Sequence, residues 1–244
     1  MSTSDAVDPG VRVPRSGAPA PAVCVFREVP ELLSELGVRG RELADVRAPL
    51  VVAGRGSWTP PTPLHCAKRH LGMLLLDGLV LRRLTLNGRT GAELLGAGDL
   101  LQPWRRQPPY DTLVAEPGWE VLEPARLAVL DGRFATEVAP WPEVAAALVG
   151  RAVERARRLS FHHVVSHTPG LYGRLAALFL ALADRWGRVT PDGVFVPVAL
   201  THATLAELVG ASRPSVSTTL AQLSREGVVR RVAGGWMLDT RSIG

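Results

Sequence analysis

Between Leu200 and Leu223 the chain carries two short apolar-periodic segments separated by a single glycine, a pattern that allows little except two short helices set at an angle. Thr201 is an N-cap residue, and Leu205, Leu208 and Val209 fall on one face at helical spacing, so the first helix is expected over about Thr201 to Val209. Gly210 stops it, because glycine enters the left-handed region without a Cβ clash. Ser212 then caps a second helix with Pro214 in its first turn, where a missing N–H costs nothing. Val216, Leu220 and Leu223 form its buried face, leaving Arg213, Ser217 and Thr218 on the other. Beyond Glu226-Gly227, Val228–Val232 and Trp236–Leu238 read as two strands joined at Ala233–Gly235, a β-hairpin behind the helix pair. That order is a winged helix-turn-helix. Its exposed helix face holds side chains of the length and polarity that reach base edges and phosphates from a major groove.

The remainder of the 244 residues reads differently. Residues 1–22 are rich in Pro, Gly, Ser and Ala without apolar period and are expected as a disordered arm. A short helix is expected over Glu31–Leu36. From about Leu50 to Leu130, short apolar runs alternate with turn residues: Leu50–Val52, Gly72–Leu76, Leu79–Leu81, Leu84–Leu86, Ala92–Leu95, Val121-Leu122 and Arg126–Leu130. Asn87-Gly88 between two of them is a strong hairpin signal, so residues 23–140 are expected as a β-sandwich or β-roll. Residues 141–167 are helix-forming, with Trp141, Val144, Leu148, Ala152, Arg155 and Leu159 along one narrow seam that calls for a partner helix, supplied by a second copy. Thr168-Pro169-Gly170 marks a hinge, Leu171–Trp186 a further helix, and residues 168–244 the DNA-binding domain. The fold class is α+β.

The net charge of +5 is uneven, since the segment from Thr168 onward carries 8 Arg against 5 Asp and Glu, more than half the excess. Cys24 and Cys66 are too few for a disulfide framework, a structural zinc or an iron–sulfur cluster, and are expected as buried, inert thiols. No catalytic residues, metal or cofactor are expected. His162, His163 and His167 read as cations favoured at a helix C-terminus. Apolar runs fall short of a membrane span and the N-terminal segment reads without a signal core, so a cytoplasmic location away from membranes is expected.

A β-roll, a long helix and a winged helix-turn-helix in that order resemble the Crp/Fnr family, the regulators related to the cyclic AMP receptor protein. The resemblance rests on Gly78, Gly88 and Gly98-Asp99 at roll turns, Gly173-Arg174-Leu175-Ala176 after the hinge, Pro191-Asp192-Gly193, and Val209-Gly-Ala-Ser-Arg213 with Val216. It implies a homodimeric transcription regulator on palindromic DNA, with RNA polymerase as a further partner and a sensing N-terminal domain of unknown effector. Thr201, Ser212, Arg213, Pro214, Ser215, Ser217 and Thr218 are then the DNA-binding candidates, with Arg213 matching the family's guanine reader, Pro214 standing for an acid and Thr218 for a second Arg.

In nucleotide-binding members a Gly-Glu pair and an Arg-Ser/Thr pair follow the position of Gly98-Asp99 and hold the ribose and cyclic phosphate. Here Gln102-Pro103 and Tyr110-Asp111-Thr112 occupy those places, so the cassette is degenerate and cyclic AMP is not expected to bind. Trp104, Arg105, Arg106 and Thr112 are the candidates for holding another effector, although Arg105 and Arg106 also suit a solvated turn. His65-Cys66 and His70, the only residues favouring the haem branch, read as surface or loop positions. A second reading is a small-molecule sensor acting mainly through protein contacts with weak DNA binding.

Overall fold

A computed structural model describes residues 21–33, 42–61, 70–103 and 115–239. They group into two units: the first holds 21–156 apart from Thr90–Ala92, and the second holds those three residues with everything from Arg157 onward.

The first unit is built on β1 (Ala22–Cys24), α1 (Val25–Glu28), a 3-10 turn at Pro30–Leu33, β2 (Arg47–Ala53), β3 (Gly56–Ser57), β4 (Gly72–Leu86), β5 (Arg89–Gly96), β6 (Leu100–Leu101), β7 (Glu116–Leu130), α2 (Gly132–Val138) and the part up to Ala156 of the long α3 (Pro142–His167), whose remainder belongs to the second unit. The strands form one sheet ordered β1-β2-β7-β4-β5, with β3 on β7 and β6 on β4. The three apolar runs expected over residues 72–86 are one strand, and the two over 121–130 lie in another. Asp77-Gly78 looks like a turn in sequence but is a bulge, with register slips around Asp77 and Leu79 against β7. Gly78 has φ of 92°, and a Cβ there would collide with the Pro124 carbonyl and with Ala125. Pro124 sits opposite the same bulge, where a strand tolerates a missing N–H. Asn87 and Gly88 both have positive φ, 50° and 73°, as a type I′ hairpin requires. At the expected helix over Glu31–Leu36 the chain makes only the 3-10 turn as far as Leu33, and the rest lies outside the described residues.

Alternation along the strands divides the core in two. Met73, Leu75, Leu95, Leu101 and Leu127 pack on one side with Trp58, whereas Leu74, Ala128 and Leu130 pack on the other against the helices. Asp131 caps α2 by accepting from the Phe134 N–H at 2.9 Å, which brings Phe134 into a stack with Phe26, centroids 5.9 Å apart.

This second cluster corrects the expected seam of α3. Val144 is fully buried and Leu148 is 4% exposed within it, and Trp141 packs on its edge. Burying side chains of that size is worth about 1.5–3 kcal/mol each, so the unit's own core takes them and they are not available to a second copy. Arg155 is likewise engaged, by Glu93 of β5. Ala152 and Leu159 do remain exposed, as do Val149 and Val153. Cys24 is half-buried rather than buried, and Cys66 lies outside the described residues.

The second unit continues with α4 (Leu171–Trp186), β8 (Arg188–Thr190), β9 (Gly193–Val196), α5 (His202–Val209), α6 (Arg213–Arg225), β10 (Val229–Val232) and β11 (Gly235–Leu238). Its antiparallel sheet is ordered β10-β11-β9-β8. Leu175, Phe179, Leu205, Val209, Val216 and Leu223 are all fully buried, and Phe179 lies 5.0 Å from the Trp236 ring. Among the described residues no helix is long and apolar enough to cross a membrane.

Candidate nucleic-acid interface

The helix pair forms because each end is capped by its own sequence. Thr201 Oγ1 accepts from the Thr204 N–H at 3.1 Å to start α5, and Gly210 ends it at φ 63°, ψ 46°. Ser212 Oγ accepts from the Ser215 N–H at 3.3 Å, and Pro214 stands in the first turn of α6. Two side chains brace the pair from α4. Arg174 donates to the Val209 carbonyl at 2.9 Å, closing the C-terminal end of α5. The Tyr172 hydroxyl donates to Glu226 at 2.6 Å, and Gln222 donates to the same carboxylate at 3.0 Å. The bond to Tyr172, seconded by Gln222, holds the Glu226 carboxyl below its ordinary range and raises the phenol.

With Val216, Leu220 and Leu223 turned inward, α6 exposes Arg213, Pro214, Ser215 and Thr218, while Ser217 is half-buried. The hydroxyls of this face are engaged with their own helix. Ser217 donates to the Arg213 carbonyl at 3.0 Å, Thr218 to Pro214 at 3.2 Å and Thr219 to Ser215 at 3.0 Å. A hydroxyl has one proton, so in this state these oxygens act toward any further group only as acceptors, that of Ser217 already toward His202. They match the amino groups of cytosine and adenine, whereas a phosphate contact requires each to give up its helix bond.

Beside this face a cleft of about 480 Å³ is lined by Thr201, His202, Ala203, Arg213 and Arg231. Among the described residues no carboxylate lines it. Arg231, on β10, lies over the Trp236 ring at 5.6 Å, which holds its guanidinium at the mouth. His202 joins the two helices, its Nδ1 being 2.8 Å from Ser217 Oγ. Because the Ser217 proton goes to the Arg213 carbonyl, Nδ1–H is the donor to Oγ, and the imidazole fixes Ser217 from the first turn of α5. His202 and Arg231 are absent from the sequence expectation. The signal for His202 was its place directly after the Thr201 cap, where a helix N-terminus meets the start of its successor.

Residues 173–241 match the family model of the Crp-like helix-turn-helix domain. Over those residues the chain is similar to that domain. The fold of the longer chain resembles solved Crp/Fnr-type structures. A CooA variant from Carboxydothermus hydrogenoformans matches with a TM-score of 0.62 at 19% identity over 80% of this chain and 86% of that one. A cyclic nucleotide-binding domain containing protein from Listeria monocytogenes gives 0.65 at 13% over 90% and 99%. A CRP/FNR-family transcriptional regulator from Thermus thermophilus gives 0.56 at 21% over 80% and 95%. No curated protein matches by sequence. The mixed α/β architecture, with an N-terminal antiparallel sheet preceding the matched residues in the chain, resembles the fold of those solved structures.

Ahead of the Crp-like domain, the effector candidates Trp104, Arg105, Arg106 and Thr112 lie outside the described residues. Gln102 is described, and its amide donates to the Leu71 carbonyl at 3.0 Å. The strongest charge cluster of the first unit is a feature sequence reasoning missed. Glu93, 8% exposed, accepts from Arg155 Nε and an Arg155 terminal nitrogen at 2.7 Å each and from Arg82 at 3.3 Å. Burial pushes the Glu93 carboxyl up, but the paired bonds and charge of Arg155, with Arg82 behind them, hold it below the usual carboxylate range. Arg155 also donates to the Leu100 carbonyl at 3.2 Å, and Arg151 to the Gly98 carbonyl at 3.2 Å, so α3 is tied at two points to the roll turn around Asp99.

Proposed function

We propose that the chain is a homodimeric, sequence-specific DNA-binding transcription regulator of Crp/Fnr type in which α6 is the recognition helix. The observation that carries this reading is the capped α6, with its apolar face buried and Arg213 exposed at its N-terminal end beside a cleft holding a second guanidinium, Arg231. Arg213 grips a guanine through O6 and N7. Arg231 and His202 meet the flanking phosphates, and Ser215, Ser217 and Thr218 present acceptors to base amino groups. Ser212 and Thr201 position the two helices on the duplex through their caps, and Pro214 leaves the cytosine-reading place without a hydrogen bond, so the operator differs from that of relatives with an acid there.

Dimerisation uses the exposed heptad series of α3, Val149, Ala152, Ala156 and Leu159, in place of the buried Val144 and Leu148. Two copies read a palindromic site with half-sites about 34 Å apart. The regulator works in the cytoplasm with RNA polymerase as its downstream partner, and cyclic AMP is not its effector: Gln102 occupies the Gly-Glu place and its amide is bonded to the roll's own backbone. The test is footprinting on a selected operator. Arg213→Ala is expected to weaken specific protection by about 1–3 kcal/mol, roughly five- to 160-fold, while sedimentation is unchanged. Equal protection at equal concentration removes Arg213 as a base reader.

A further inference from the structure

We propose that His163 and His167 form a bidentate site for a divalent transition-metal ion of the zinc, copper or nickel class on the last turn of α3. The two residues stand four apart on one helix, the spacing that sets side chains one above the other. Both are exposed, and their rings approach to 4.4 Å between centroids with a tilt of 53°. Two imidazoles sharing one ion at about 2.0–2.1 Å per nitrogen have centroids roughly 5 Å apart, close to the spacing of this pair.

A second contact sets the tautomer. His167 Nδ1 lies 2.9 Å from the His163 carbonyl oxygen, which only accepts, so Nδ1 carries a proton and Nε2 is the nitrogen left for an ion. A backbone carbonyl holding one ring nitrogen while the other faces outward is the usual arrangement of a metal-ligating histidine. Imidazole nitrogen is the donor these borderline ions take, and calcium and magnesium, which want oxygen, are excluded by the same chemistry. Among the described residues no cluster of three or more metal-type side chains occurs, and the proposed site has two protein ligands.

The site lies one residue before Thr168 and the Pro169-Gly170 pair that ends the helix. An ion bridging residues 163 and 167 closes the last turn, whose carbonyls are otherwise held by the side chains of Ser166, His167 and Thr168, and so stiffens the joint between α3 and α4. A further consequence rests on the dimer reading above. His163 is the next heptad step after Val149 and Ala156, which puts the ion beside the seam between copies. The chelate itself needs only one chain.

The test is competition titration of the full, chelator-treated protein with Zn2+, Cu2+ and Ni2+ against a chromophoric chelator, without DNA, on the natural chain and on His163→Ala, His167→Ala, the double variant and His162→Ala. The expected result is one saturable ion per chain, with copper tightest. Each single variant at 163 or 167 should bind about ten-fold or more weakly through loss of the chelate, and His162→Ala should bind normally. Unchanged circular dichroism keeps misfolding from passing as metal loss. Absence of saturable binding, or binding that survives the double variant, overturns the site. Sedimentation in EDTA reports the assembly separately, so a monomer that still binds one ion refutes the dimer reading and leaves the chelate standing.

Discussion

Removal of the Glu93 carboxylate is the sharpest perturbation of the first unit. In Glu93→Ala the guanidiniums of Arg155 and Arg82 lose their shared anion while their side chains remain only 17% and 11% exposed. Breaking a buried pair from one side costs about 3–5 kcal/mol, because the remaining charge is left out of water without compensation. Two features place this case near the lower end. Arg155 keeps its bond to the Leu100 carbonyl, and Arg82 keeps its position over the Trp119 ring at 5.7 Å. A loss of about 3 kcal/mol is therefore expected in the stability of the first unit, read by native-state hydrogen exchange of peptides from β4, β5 and β7. The triple replacement of Glu93, Arg82 and Arg155 by Leu should recover much of it, since apolar groups of similar volume replace such clusters at little net cost. The folded pKa of Glu93 lies below its unfolded value, so the contribution is present above the unfolded pKa, about 4.3, and disappears as pH falls through the lower folded value. A change under about 1 kcal/mol at neutral pH, within the range of exposed pairs, would refute the reasoning.

Leu148→Glu and Val149→Glu separate the two faces of α3. The first should unfold the β-unit by about 3 kcal/mol or more, as an unpaired charge in a core does, and the second should leave thermal stability intact and yield monomers in sedimentation. His202→Ala should free Ser217 and weaken operator binding by about 0.5–1.5 kcal/mol, roughly three- to ten-fold; unchanged footprints would show that the 2.8 Å contact is without consequence. Calorimetry with cyclic AMP should give no saturable heat, and micromolar binding would place the nucleotide on residues other than those compared with the family cassette.

The Crp-like domain was legible because its determinants are local. Thr201, Gly210, Ser212 and Pro214 fix the helix ends by their own side chains, and a 3.6-residue period needs no distant partner to be read. The β-unit was legible in class but not in segmentation, since Asp77-Gly78 and Pro124 carry turn chemistry that a bulge also demands, and only the register across β4 and β7 tells the two apart. The seam of α3 was misassigned for a related reason. Val144 and Leu148 do form an apolar stripe, but a stripe does not say which surface covers it, and here Phe26, Phe134 and Leu130 do. Glu93 and Arg155 are 62 residues apart, a pairing no local pattern encodes. His163 and His167 were in plain view at the right spacing; reading the helix end only as a cluster of cations concealed them.

The two faces of α3 also tie the buried cluster to the proposed assembly. At 100° per residue, Val144 and Leu148 point about 140° and 100° away from Val149, so one helix can pack on its own unit and still present a second seam. Which residues that seam contains depends on how the helix is rotated about its axis. Val144 and Leu148 fix the rotation near the start of the helix, and Arg151 and Arg155 fix it one and two turns on, through the Gly98 and Leu100 carbonyls and through Glu93. Loss of Glu93 reduces the anchor at Arg155 to its one bond to the Leu100 carbonyl, so the helix beyond Arg151 is held less firmly in rotation. Glu93→Ala should therefore weaken self-association as well as the fold of the β-unit, although residue 93 lies on a strand and not on the exposed series. Sedimentation equilibrium under conditions where the unit remains folded measures this, and a dimer constant equal to that of the natural chain would separate the rotation of α3 from the ion pair.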